Sequence, residues 1–252
     1  MTKPLSALLQ SGALWKGAAS ESVISSANVE ALPFGVEAID TCLPHHGLTQ
    51  GVIHEFALEN ELTKKTKRIW FAPVALLATF VLNYAVEKKT LKVSWIGRSC
   101  WPSPSLLKKT LGEDWQERCF FIDAQNKKER LWSAIENISS PAIHITIADG
   151  EGLPFLATKQ LAHVARRHNA QLIIVRPPWE LSQRSAAYSK WLLKPLRSET
   201  DSTTYNLELR YIKAHILPSP WTLRHHHEEN SFSILPRATT ESNLSEKYST
   251  GA

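Results

Sequence analysis

Five short apolar runs recur along the middle of the chain, and segments with helical spacing separate them. VIHEF at 52–56, LKVSWIG at 91–97, CFFID at 119–123, AIHITIAD at 142–149 and QLIIV at 171–175 read as strands. Between them, the apolar run from about Ile69 to Lys88 reads as one long helix. SPSLLKKTL reads as a short helix with a proline near its start. KKERLWSAIENI puts Leu131, Ile135 and Ile138 on one helical face, and GLPFLATKQLAHVARRHN has Leu156, Leu161 and Val164 among its apolar positions. Such alternation predicts an α/β fold with a mostly parallel sheet flanked by helices. Beyond Pro178 the pattern changes. WELSQRSAAYSKW is polar and punctuated by aromatics. WLLKPL and TTYNLELRYIKAHIL then read as strands, and the alternation in YNLELRYI predicts half-exposed antiparallel pairing on the C-terminal side.

With 252 residues, of which 43% are hydrophobic, the chain suits one α/β domain with extensions, or at most two small domains. Residues 1–30 are expected to form an N-terminal helix and linker, with Leu5, Leu8, Leu9, Leu14 and Trp15 on one apolar face. Residues 31–218 would be the main domain and 219–252 a C-terminal extension. Its last part, RATTESNLSEKYSTGA, has little to bury and is expected to be mobile. The formal charge of +5 favours acidic partners only mildly. Cys42, Cys100 and Cys119 form no C-x-x-C pair, which argues against a disulfide framework and a structural zinc site. The opening MTKPLSALLQSGALWKG lacks the long apolar core of a secretory signal, so a cytoplasmic location is expected. Ile69 to Val86 is apolar between basic flanks, but Pro73, Thr79, Asn83 and Tyr84 interrupt it. A membrane span needs about 20 residues of apolar helix, so a buried helix is the expectation and no membrane partner is.

ENELTKKT, at 59–66, lies between the first strand and the long helix, where a phosphate-binding G-x-x-x-x-G-K-[ST] loop belongs. Lys65 and Thr66 fit the end of that pattern, whereas Glu59 and Lys64 occupy both glycine positions. Glycines there permit positive φ angles and close backbone approach to phosphate. Left-handed backbone costs another residue about 1–2 kcal/mol, and Glu59 adds a negative charge beside a would-be anion. No bound cofactor and no ATP hydrolysis are expected. Asp149 ends an apolar strand, where a Walker-B magnesium carboxylate would sit; aspartate is also a common turn residue.

Upstream, LPFGVEAIDTCLPHHGLTQGVIHEFAL carries Gly35, Ile39-Asp40, Leu43, Gly47-Leu48, Gly51 and Glu55. In this order they resemble the segment preceding the P-loop of RecA-like recombinases. From Leu5 to about Ile216 the chain further resembles ImuA, a RecA-like family of bacterial DNA-damage mutagenesis cassettes. LLQSGALWKG with Trp15-Lys16-Gly17, LPFGVEAIDTCLP, KVSWIG and QLIIVRPPWELSQRSAAYSKWLLKPL carry the likeness. His45-His46-Gly47 departs from it, since a glycine-richer turn is usual there. The resemblance implies a RecA-like core with a degraded P-loop and a non-catalytic accessory role in SOS-induced, error-prone translesion synthesis. It also implies a polymerase-like protein of the ImuB type, an error-prone polymerase and the RecA recombinase as partners. A cell-division inhibitor of the SulA type and a degenerate but active DNA-repair ATPase are the alternatives.

Contact residues are sought first in the stretch after the fifth strand, because loops at strand ends carry function in open α/β sheets. Arg176, Trp179, Arg184, Tyr188 and Trp191 are residue types enriched at binding hot spots. In RecA-like proteins this neighbourhood faces DNA or another subunit; packing of the tryptophans in the core is the competing reading. Lys64, Lys65, Lys67 and Arg68 form a basic cluster, and Lys108-Lys109, Lys127-Lys128 and Arg166-Arg167 add others. DNA contact, direct or through a partner, is one reading of them, and a solubilising surface is the other. His225-His226-His227 lacks ligand spacing and reads as a solvated polar turn. His45, His46 and His54 have no visible catalytic partner.

Overall fold

Each of the five apolar runs becomes a parallel strand of one sheet in the computed structural model, which describes residues 30–66, 69–88 and 90–236. In chain order the strands are β1 (Ala31–Leu32), β2 (Leu48–Thr49), β3 (Ile53–Leu58), β4 (Val93–Ile96), β5 (Cys119–Ile122), β6 (Ile145–Asp149), β7 (Gln171–Val175), β8 (Ser189–Ser198), β9 (Ser202–Ile212), β10 (Trp221–His226) and β11 (Ser231–Ile234). Strands β1 and β2 form a small antiparallel pair. The main sheet runs β11-β10-β9-β8-β3-β7-β6-β4-β5. From β8 to β5 all neighbours are parallel, while β9, β10 and β11 add on antiparallel. The helices are α1 (Glu37–Asp40), α2 (Glu61–Thr66), α3 (Val74–Glu87), α4 (Pro104–Leu111), α5 (Trp115–Arg118), α6 (Lys127–Ser139) and α7 (Phe155–His168).

Helices cover the parallel strands on both faces, so β6 and β7 are buried at every position and show no alternation. One face packs Phe56, Trp95, Ile147 and Ile173 against Leu76, Leu77 and Phe80 of α3. The other packs Ile53, Ala148 and Ile174 against Ala134 and Ile138 of α6 and Leu161 of α7. Asp40 receives the backbone N–H groups of Phe34 and Gly35 at 2.7 and 3.0 Å. Gly35 has φ 83°, and a Cβ there would stand 2.2 Å from the Asn83 amide of α3. The turn glycine is thus required by both its backbone angle and a close helix.

Three sequence expectations shift. The long helix begins at Val74 rather than near Ile69. Pro73 disfavours helical geometry in the residue before it, and Phe71 instead bridges Leu58. The extension after 218 contributes β10 and β11 to the main sheet. Only the last residue of the histidine triplet lies in a turn: His225 and His226 belong to β10, and His227 follows it. His225 is buried, stacks on Phe232 at 4.6 Å and bonds Asn230 Oδ1 at 2.9 Å. His226 and His227 pair with Ser233 and Thr203. Among the described residues, no helix is long and apolar enough to cross a membrane, and no group of three side chains could hold a metal ion. Cys42, Cys100 and Cys119 are free thiols. The amphipathic opening, Lys67, Arg68 and the tail from 237 lie outside the described residues.

Candidate functional site

The segment ENELTKKT folds as a capped helical turn. Asn60 Oδ1 accepts from the Thr63 N–H at 2.8 Å, and Thr63 Oγ1 accepts from the Asn60 N–H at 2.9 Å. This reciprocal arrangement satisfies two end donors, as a capping box does. The Lys64 N–H bonds the Asn60 carbonyl, Lys64 Nζ pairs with Glu61 at 3.0 Å, and Thr66 Oγ1 donates to the Leu62 carbonyl. No residue from 59 to 66 has a positive φ. A phosphate cradle needs successive N–H groups that converge on an anion; here they run along a helix axis. Lys64 and Lys65 are exposed, and Glu59 lies 3.7 Å from Lys194 of β8.

Asp149 is buried at the end of β6, where the sequence places it. Its Oδ1 accepts from the Glu151 N–H at 2.8 Å and stands 3.8 Å from Arg130 Nε of α6. Arg130 also donates to the Glu151 carbonyl at 2.8 Å. A cation supplied by the chain therefore sits where the magnesium of a P-loop enzyme would be sought. Gly97 makes the close packing possible, since a Cβ there would stand 2.8 Å from Asp149 Cβ.

After β7 the chain is tied down by buried charge. Arg176 is 2% exposed. Its Nε donates to Glu55 at 2.8 Å, Nη1 to Glu180 at 3.3 Å and Nη2 to the Leu153 carbonyl at 3.3 Å. Glu55, fully buried in β3, also accepts from Ser185 Oγ at 3.0 Å and lies 3.6 Å from Lys190 Nζ. Lys190 donates in turn to the Leu181 and Gln183 carbonyls. Two carboxylates and two cations thus neutralise one another, the condition for burying charge at all. They hold the 176–188 segment against β3 and β8.

This changes the contact candidates. Trp191 is fully buried, because β8 lies between β3 and β9 and register sets it beside Phe56. Its ring stacks on Phe56 at 5.8 Å, and its Nε1 donates to Ser189 at 2.8 Å. Arg176 is likewise internal. Neither can present itself to a partner. Trp179 and Tyr188 are half-buried. Arg184 is exposed, with its guanidinium 4.3 Å from the Phe155 ring centre. Of the other basic pairs, Arg166 and Arg167 end α7, where cations suit the helix dipole; Lys108 pairs with Glu113.

Between this segment and the β8–β9 ribbon lies a cleft of about 690 Å3, lined by Arg184, Leu181, Lys190, Leu192, Arg210 and Tyr211, with Glu59 at the end of β3. Of these the sequence singled out only Arg184 and Glu59. Glu55 inside VIHEF and Lys190 inside SKWLL carried the missed signal. A charge among apolar strand positions demands a buried partner of opposite sign; Glu55 finds its own in Arg176 at 2.8 Å and lies 3.6 Å from Lys190.

No family model and no curated protein matches the chain. Among solved structures it is similar to the crystal structure of the RadB recombinase, with a TM-score of 0.57 and 12% identity over 81% of this chain and 100% of that one. The strand order, the helices on both faces and this likeness give the chain a RecA-like fold.

Proposed function

We propose that the protein is a non-catalytic RecA-like accessory factor of the DNA-damage response, supporting error-prone translesion synthesis through protein contacts. The partners it would meet are a polymerase-like protein of the ImuB type and the RecA recombinase. The observation that carries this reading is the segment 59–66. Where the RecA-like fold would cradle phosphate, this chain builds a capped helix with no positive-φ residue, and Arg130 lies beside Asp149. What remains for function is surface, and the cleft beside Arg184 and Arg210 is a concave part of it.

The test is affinity capture of the tagged chain from cells treated with a DNA-damaging agent, paired with damage-induced mutation frequency in a deletion strain. Co-purified polymerase-like protein or recombinase, with a lost mutagenic response, supports the reading. Capture of the division GTPase with intact mutagenesis moves the protein to the inhibitor class. Magnesium-dependent ATP turnover that disappears in Lys65→Ala makes it an enzyme and removes the proposal.

A further inference from the structure

The cleft has a chemistry that selects its occupant. Its floor is apolar, formed by Leu181 and Leu192, which pack with Ala57 of β3. Among the described residues its lining holds three cationic side chains, Lys190, Arg184 and Arg210, against one carboxylate, Glu59. The Lys190 charge is answered from within by Glu55 at 3.6 Å, which leaves Arg184, and Arg210 beside its Glu208 partner, to meet an incoming group. Arg184 has no carboxylate within ion-pair distance among the described residues; it lies over Phe155. A guanidinium stacked on a ring keeps its planar N–H edge free for a carboxylate. Arg210 pairs with Glu208, whose side chain is only 16% exposed, but Lys194 Nζ also holds Glu208 at 2.8 Å, so Glu208 keeps a cation when the half-exposed Arg210 turns to an incoming carboxylate. The volume lies within the range of about 300–1,000 Å3 typical of ligand pockets.

We propose that this cleft binds an acidic peptide segment of a protein partner. One apolar side chain of the segment seats on Leu181 and Leu192, and carboxylates on either side of it are held by Arg184 and Arg210. Single-stranded nucleic acid fits less well. It needs stacking platforms along an unbroken cationic groove, whereas Tyr211 is the sole aromatic among the described lining residues and Glu59 interrupts their positive charge. Carboxylates on a peptide can be spaced to avoid Glu59; phosphates at every nucleotide cannot. The inference deepens the accessory-factor reading, on which it rests for the identity of the protein carrying the segment.

The experiment is fluorescence anisotropy of the full chain with a fluorescein-labelled peptide bearing one Leu-Phe pair between runs of Asp and Glu. Saturable binding is expected, and the doubly substituted Arg184→Glu, Arg210→Glu variant should weaken it at least about tenfold. Both arginines are exposed, but Arg210→Glu sets a second carboxylate beside Glu208, so a circular dichroism melt is recorded and the neutral Arg184→Gln, Arg210→Gln variant carries the test where the melt falls. Absence of saturable binding overturns the inference, as does binding that the variant leaves unchanged. Tighter binding of labelled mixed-sequence single-stranded DNA, lost in the same variant, also overturns it and gives the cleft to nucleic acid. Peptide binding retained while cellular capture yields no polymerase or recombinase would remove the damage-response role and leave the cleft assignment standing.

Discussion

At the scale of residues, the chain invests in buried polar side chains that a simple core would avoid. His54 of β3 is the clearest case. It is fully enclosed, with Nδ1 2.6 Å from Ser189 Oγ and Nε2 2.9 Å from the Thr49 carbonyl. Ser189 Oγ also accepts from Trp191 Nε1, so one neutral tautomer satisfies the whole chain of bonds: Nε2–H donates to Thr49 and Nδ1 accepts from Ser189. Burial pulls the His54 pKa from 6.5 down to about 4, against the upward pull of the Thr49 bond. Between these two values the unfolded chain binds the proton and the folded chain does not. Stability should therefore fall as the pH drops from about 6.5 towards about 4, by at most about 1.4 kcal/mol per pH unit. Urea titrations across that range check it, and His54→Gln should flatten the slope. Arg176 supplies a second prediction. Arg176→Ala leaves Glu55 and Glu180 short of a cation in the interior, and should destabilise by about 3–5 kcal/mol. Adding Glu55→Gln should recover part of that loss, which denaturant unfolding of the two variants would read.

At the scale of elements, the sequence was most legible where periodicity and burial agree. The run QLIIV is apolar without alternation, and β7 occupies that range between two covered faces. YNLELRYI alternates, and β9 is antiparallel. Legibility failed where tertiary pairing overrides local character. The triplet His225-His226-His227 looks solvated because histidine is polar, yet β9 and β11 flank β10 and turn His225 inward onto Phe232. The same holds for the candidate site. Arg184 was readable as a loop arginine, but Arg210 and Tyr211 reach the cleft only through the register of β9 on β8, with a shift between Lys190 and Trp191, and register is not written in either strand alone. The segment 59–66 makes an elemental prediction. Placing glycine at 59 and 64 restores the P-loop consensus but weakens α2 by about 1 kcal/mol, the helix cost of one glycine. Because the Asn60–Thr63 cap and the Arg130–Asp149 contact persist, calorimetry with Mg-ATP should still show no binding. Binding gained by the double variant would mean that side chains, rather than the fold of the segment, block the cradle.

For the molecule as a whole, the aromatic stack through the sheet joins its parallel and antiparallel parts. Trp191 of β8 stacks on Phe56 of β3 and on Trp221 of β10, so one side chain touches both. Trp191→Ala should cost about 3–5 kcal/mol and shift the unfolding of both parts together. Hydrogen exchange would check this by showing equal losses of protection in β3 and β10; loss confined to β10 would mean that the two parts unfold separately. The buried charges around Glu55 have a different kind of consequence. They fix the cleft wall to the sheet by internal contacts, Arg176 from one side and Lys190 from the other. In a nucleotide-driven protein such a wall would move with the bound phosphate and so carry a message. On the proposed reading this wall answers to no bound nucleotide, and ion pairs within the chain set its position. A surface of that kind has no off state of its own, and control over it passes to the number of copies present and to the partners that compete for it.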